Sequence, residues 1–168
     1  GGIGSGKSVV CRIFGELGIP VYNADEAAKA IMNEDAELKE KIKSAFGNEA
    51  YTEAGLNRSW LANKVFQQEE RVALLNSIVH PIIIAHAEQW MRAVKAPYAI
   101  KEAALFFESG SAAGLDFIIG VSAPRYLRMQ RAAKRDGSSM ADIQARMDRQ
   151  MDENIKMKLC DAVIVNDE

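Results

Sequence analysis

Apolar residues recur along this chain at two spacings, and the changes between them divide it into elements. After an opening run rich in glycine, Val10, Ile13, Phe14 and Leu17 fall at helical spacing, and Gly18 with Pro20 stops that helix. IPVYN at 19–23 reads as a short strand, and a further helix follows from Asp25. From about Ala27 to Val94 the pattern is almost wholly helical. AELKEKIKSAF places Leu38, Ile42 and Ala45 on one face and ends at Gly47, while Asn57 is placed to cap a helix carrying Trp60, Leu61 and Val65. RVALLNSIVHPIIIAHAEQWMRAV is expected to break at His80-Pro81, because proline suits the first turn of a new helix and disfavours continuation of the old one.

Strand patterns resume with YAIKEA (98–103), DFIIGVSA (116–123) and AVIV (162–165). Their β-branched runs lack clean alternation, as in strands covered on both faces. Between the last two lie a basic helix and a second helix opened by SSMAD, with Ser139 as cap, Asp142 in the first turn, and Ile143, Met147 and Met151 as its apolar stripe. Alternating strands and helices predict the α/β class with a mostly parallel sheet. The helical insertion of about seventy residues is longer than a single crossover helix.

Length fits this picture: 168 residues suit one domain that buries roughly 70% of its unfolded surface. With 48% apolar and 26% charged residues the chain has an ordinary soluble globular composition. Its longest apolar runs fall short of the ~18 residues needed to cross a bilayer, so no membrane partner is expected. A net charge of −2 argues against a general nucleic-acid binder. Cys11 and Cys160 have no CxxC spacing or His/Cys cluster and read as reduced thiols in a cytoplasmic protein.

The opening GGIGSGKS satisfies G-x-x-x-x-G-K-[ST] with Gly1, Gly6, Lys7 and Ser8. In such a loop the backbone amides of Gly2, Ile3, Gly4, Ser5, Gly6, Lys7, Ser8 and Val9 are the candidate nucleotide cradle, and the following helix N-terminus adds favourable dipole charge. Lys7 is placed for the β- and γ-phosphates of ATP and Ser8 for a Mg²⁺ ion. Nucleotide binding alone does not separate a GTPase, a motor and a small-molecule kinase. NKVF at 63–66 lacks the Asp of a base-recognition motif, and YAIKE is short and interrupted by Lys101 for a motor's strand and acid.

Asp25 ends the strand after the first helix, where ligands of open α/β sheets gather. It is a candidate to accept the proton of an attacking hydroxyl, or else the cap of the next helix, and position alone leaves both open. Glu102 ends the next strand and is a candidate for Mg²⁺, directly or through water, against a salt bridge to Lys101 or a lid contact. RYLRMQRAAKR holds five basic residues and no acid. Arg128, Arg131 and Arg135 share one helix face, and Arg146 and Gln150 lie one turn apart beyond a tight RDG turn. Two helices so lined suit a lid closing over polyphosphate, the alternative being a solvated charged face. His80 reads as a helix-end residue, and His86 as a helix-face residue.

Taken in order, GGIGSGKS, ELGIPVYNADEAAK, NSIVHPII, ALFFESG, APRYLRMQRAAKRDG with RMDRQM, and DAVIVND resemble the dephospho-coenzyme A kinases over essentially the whole chain. The resemblance implies a P-loop kinase fold: a five-stranded parallel sheet with helices on both faces, a helical CoA-binding region at 26–95 and a helical lid at 125–158. The core is then 1–25, 96–124 and 159–168. The family places a central strand immediately before Gly1, so Gly1 is expected to be a boundary of numbering.

The resemblance also implies ATP and dephospho-CoA as substrates, Mg²⁺ as cofactor, and a monomer or weak homo-oligomer. Asp25 matches the second Asp of a D-A-D pattern and becomes the favoured general base. Arg135 and Arg146 match lid positions that contact ATP phosphates, Arg135 as a catalytic residue. His80 falls in an H-P motif beside the acceptor. Asn23 departs from the first Asp of D-A-D. Glu102 and Ala104 depart from D-x-P-L-L-F-E, which leaves direct metal binding by Glu102 open.

Overall fold

The structure, a computed structural model, describes residues 1–65, 68–108, 110, 112 and 114–167. Phe66, where the base-recognition motif was read and failed, lies outside them. In chain order the elements are α1 (Lys7–Glu16), β1 (Val21–Asn23), α2 (Ala24–Glu34), α3 (Ala36–Phe46), β2 (Tyr51–Thr52), β3 (Gly55–Leu56), α4 (Arg58–Val65) and α5 (Glu69–Ala93). They continue as β4 (Ile100–Glu102), β5 (Ile119–Ser122), α6 (Arg125–Asp136), α7 (Met140–Asp148), α8 (Glu153–Lys158) and β6 (Ala162–Val165). The chain is of the α/β class and packs as two compact units, Gly1–Val21 with Glu102–Glu168, and Tyr22–Lys101.

Strands are short and form three two-stranded sheets among the described residues, β1 with β4, β2 with β3, and β5 with β6. The β5–β6 pair is parallel, registered from Ile119 opposite Ala162 to Ser122 opposite Val165. Gly120 and Val121 are buried in β5, but all four residues of β6 are exposed. Coverage of both faces therefore fails for β6: α8 packs on β5, and the β-branched run of β6 keeps much of its surface in solvent.

In the first unit, Ala132 of α6 meets Ile143 and Met147 of α7, with Ile3, Met129 and Ala133 packed around them. Ser139 caps α7, its Oγ accepting the Asp142 N–H at 3.1 Å and donating to Asp142 Oδ2 at 2.7 Å. That helix ends at Asp148, so Met151 leaves the expected stripe and Gln150 leaves the face of Arg146.

The second unit is built on one apolar cluster in which Leu38, Ile42 and Ala50 have no exposed surface, joined by Ile31, Leu61, Val65 and Val79. Ala45 is exposed instead of sharing that face. Asp35 caps α3 through the Leu38 N–H at 2.7 Å, and Asn57 caps α4 through the Trp60 N–H at 3.2 Å. The expected break at His80-Pro81 is absent, since α5 runs unbroken through Pro81. A proline in a helix interior costs about 3 kcal/mol, whereas burying one large aliphatic side chain stabilises by about 1.5–3 kcal/mol. Val79 before the proline is buried, and Ile78, Ile82 and Ile83 around it pack on the same cluster, so burial on both sides outweighs the local cost.

Candidate active site

Residues 1–6 form a loop that turns directly into α1. Gly6 is the N-cap at φ 99°, a left-handed conformation that favours glycine, and it offers no side chain to cap the first-turn amides. That helix end therefore presents N–H groups and positive dipole toward whatever lies before it. The Lys7 ammonium curls back over the loop and donates to the Gly2 carbonyl at 3.0 Å. Ser8 Oγ, one residue on, donates to Glu102 Oε1 at 2.8 Å. Thus the structure brings Lys7, Ser8 and Glu102 to the same end of α1.

Cys11, one turn further along, feels the same carboxylate. Burial, and then the charge of Glu102, push its thiol up to about 11. Glu102 is thus a shared acceptor beside the loop, a placement that its adjacency to Lys101 in sequence did not reveal.

The loop backbone is tied down from behind. Gly2 N–H donates to Glu153 Oε2 at 3.1 Å and Oε1 at 3.3 Å, and Ile3 N–H donates to Gln150 Oε1 at 3.0 Å. Arg128 Nε donates to the Ile3 carbonyl at 3.0 Å and its guanidinium pairs with Glu153 at 3.3 Å. Asn166 Nδ2 donates to the Ser5 carbonyl at 3.0 Å, while its own carbonyl accepts from Arg131 at 3.1 Å. A Cβ on Gly2 would meet the end of the Arg128 guanidinium, so a larger residue there would have to push that side chain from its place. Burial pulls the Arg128 guanidinium below its ordinary value, and Glu153 opposes that pull.

Of the basic stripe on α6, Arg128 and Arg131 therefore hold the loop and the end of β6. Arg135 points elsewhere. Its Nε donates to Asp136 Oδ1 at 2.7 Å, and Arg146 of α7 donates to Asp136 Oδ2 at 2.6 Å. Hydrogen bonds from the two guanidiniums hold the Asp136 carboxyl well below the ordinary carboxylate range. One carboxylate is thus shared by two half-exposed arginines.

In the other unit, Asn23 rather than Asp25 caps α2, its Oδ1 accepting the Glu26 N–H at 3.0 Å. The capping alternative for Asp25 is thereby overturned, and Asp25 stands exposed in the first turn. Asparagine at position 23 supplies the cap that an aspartate would supply. His80 is exposed within α5 rather than at a helix end. His86 is more than a surface residue: its Nδ1 lies 2.9 Å from the Tyr22 hydroxyl, and the buried Tyr22 ring also meets Trp90 at 5.3 Å.

Sequence reasoning missed Gln150, Glu153 and Asn166 as loop partners. Glu153 and Gln150 carried a faint signal, a polar pair just past an apolar stripe, but nothing in their spacing pointed 150 positions back.

An α/β chain whose glycine loop opens a helix with Lys7 and Ser8 at its N-terminus has the build of a nucleotide-binding protein. A family model described as CoaE, dephospho-CoA kinase, matches residues 1–168. The chain belongs to the dephospho-CoA kinase family. It is 36% identical to the dephospho-CoA kinase of Bacteroides fragilis strain YCH46, covering 99% of this chain and 82% of that protein. It is 39% identical to that of Salinibacter ruber, covering 99% and 86%. Among solved structures it is similar to TT1252 from Thermus thermophilus (TM-score 0.86, 33% identity) and to dephospho-CoA kinase from Campylobacter jejuni (TM-score 0.72, 33% identity), each over 99% of this chain and 85% of the other.

Proposed function

We propose that this chain transfers the γ-phosphoryl group of ATP to the ribose 3′-hydroxyl of dephospho-CoA, giving coenzyme A and ADP in the last step of CoA biosynthesis. Family membership over the whole chain carries this reading. In it, β1, β4, β5 and β6 contribute to a five-stranded parallel sheet of the P-loop kinase fold, 26–95 receives the CoA moiety, and 125–158 is the lid. The loop amides from Gly2 to Val9 with Lys7 hold the ATP phosphates.

Asp25 accepts the proton of the 3′-hydroxyl as its oxygen bonds to the γ-phosphorus and the bond to the ADP oxygen breaks. His80 contacts the acceptor. Arg135 and Arg146 take up charge on the phosphates, and their shared partner Asp136 keeps the two guanidiniums together. Little covalent chemistry is asked of the protein, so positioning and electrostatics dominate.

Among the described residues no cluster of three or more His, Cys, Asp or Glu forms a metal site. Mg²⁺ in kinases takes one or two protein oxygens and otherwise phosphate and water, and the adjoining Ser8 hydroxyl and Glu102 carboxylate fit that donor set. Ser8 and Glu102 would hold it, Glu102 directly or through water, and when bound it neutralises phosphate charge. Among the described residues no helix is long and apolar enough to cross a membrane.

The test is a coupled assay of ADP formation with dephospho-CoA and a panel of other nucleosides and alcohols. Stimulation by dephospho-CoA is expected, and turnover in Asp25→Asn should fall while ATP affinity is largely kept. No stimulation over water, from folded protein, refutes the assignment.

A further inference from the structure

Ile3 is held on every side by the helices that follow β5. Its side chain packs on the cluster of Ala132, Ile143 and Met147, its N–H donates to Gln150 Oε1, and its carbonyl accepts from Arg128 Nε. The preceding N–H, on Gly2, is received by Glu153, which also pairs with the almost fully buried Arg128. The three contacts to the loop backbone are half-buried, join residues more than a hundred positions apart, and converge on two consecutive residues.

We infer that Arg128, Gln150 and Glu153 form a clamp that sets the conformation of the phosphate loop, and that they are positioning residues for the transfer although they act through the loop backbone. The inference rests on the loop being the ATP site proposed above. Two physical points favour a positioning role over a merely structural one. Ion pairs withdrawn from water are often replaceable by apolar residues without loss of stability, so stability alone does not call for charge here. Second, the clamp spends its polar groups on main-chain N–H and C=O groups of the loop, whose directions decide where the remaining loop amides aim.

Arg128 also lies two turns before Arg135 on α6, so the helix that fixes the loop is the one that carries a proposed phosphate contact.

The experiment uses the full chain and two readouts, amide exchange at Ile3 in the absence of nucleotide, and ATP affinity alongside KM and kcat. Gln150→Met keeps the shape and removes the acceptor. We expect faster exchange at Ile3 and ATP affinity and KM weakened roughly three- to tenfold, the worth of one hydrogen bond, with KM for dephospho-CoA unmoved. Arg128→Met combined with Glu153→Leu replaces the buried pair by apolar side chains. It should melt near the wild-type temperature yet show the same ATP defect, and Glu153→Gln, which keeps an acceptor for Gly2, should lose less ATP affinity than that pair. Wild-type ATP affinity in folded Gln150→Met and in the double variant overturns the clamp. If wild type binds ATP but is not stimulated by dephospho-CoA, the proposed acceptor fails while the clamp is still judged by the affinities.

Discussion

Replacing Pro81 by alanine should make the protein more stable. Pro81 is exposed in the interior of α5, where it lacks the N–H that would reach the Ser77 carbonyl one turn back and its ring crowds that carbonyl. An alanine restores the hydrogen bond and removes the crowding, a gain of about 3 kcal/mol in an ordinary helix. Against this, the unfolded chain regains backbone freedom, which costs about 0.4–1 kcal/mol.

The residues that pack on the core, Ile78, Val79, Ile82 and Ile83, already sit on a continuous helix, so no repacking is needed. The net expectation is about 2 kcal/mol, or roughly 4–8 °C in Tm for a chain of this length if unfolding is two-state. Urea unfolding followed by tryptophan fluorescence reads the right unit, because Trp60 and Trp90 both lie within it. If the transition midpoint is unchanged or falls, the reasoning that α5 carries a proline cost offset by burial is refuted. A stabilised variant with raised KM for dephospho-CoA would further show why a costly residue stands beside His80.

Three further outcomes are expected. Asp136→Asn should cost no more than about 1 kcal/mol, since its arginine partners are half exposed. Because its carboxyl is depressed in the folded state, the ion pair contributes above the ordinary carboxylate value and is lost as pH falls through the lower folded value; melts of both proteins should differ at pH 7 and converge in strong acid. Lys156→Met removes the buried ammonium that donates to Glu108 at 2.7 Å and leaves that carboxylate open to water, so it should destabilise by only about 1 kcal/mol in urea titrations. Adding Glu108→Leu should bring no recovery, because the exposed carboxylate also receives the Met151 N–H. Cys11, with its thiol raised to about 11, should react with iodoacetamide at pH 8 roughly 100-fold more slowly than a free cysteine, as read by mass spectrometry; labelling at the free-thiol rate would contradict its burial beside Glu102.

Local chemistry made much of this fold readable before any coordinates. Caps at Asn57 and Ser139, the stop at Gly18, and the strands at 21–23, 119–122 and 162–165 follow from signals within a few residues, and each formed. Misreadings occurred where distant packing decides the outcome. Pro81 carries a true local penalty, but the cluster on both sides of it draws its buried residues from α2, α3 and α4 and from Ala50, which no window of sequence displays together. Asn23 departs from a carboxylate in the sequence, yet its role as a cap depends on where α2 begins. At the site, Lys7 and Ser8 were legible because a loop and the helix it opens are contiguous. The assignment of Arg128 to the loop backbone, and of Arg135 and Arg146 to one carboxylate, depends on how α6 and α7 are rotated, which helical spacing leaves undetermined.

The partners of the loop backbone lie 125 to 161 positions further along the chain. During synthesis the glycine loop therefore leaves the ribosome long before Arg128, Gln150, Glu153 and Asn166 exist. At ordinary elongation rates it waits roughly 10–30 s, without the groups that shape it. The α2–α5 unit, whose contacts fall within Tyr22–Lys101, has no such delay. A ribosome halted before residue 150 would carry the residues of the helical unit but not Gln150, Glu153 and Asn166, so the glycine loop takes its shape only after the contacts of that unit can form.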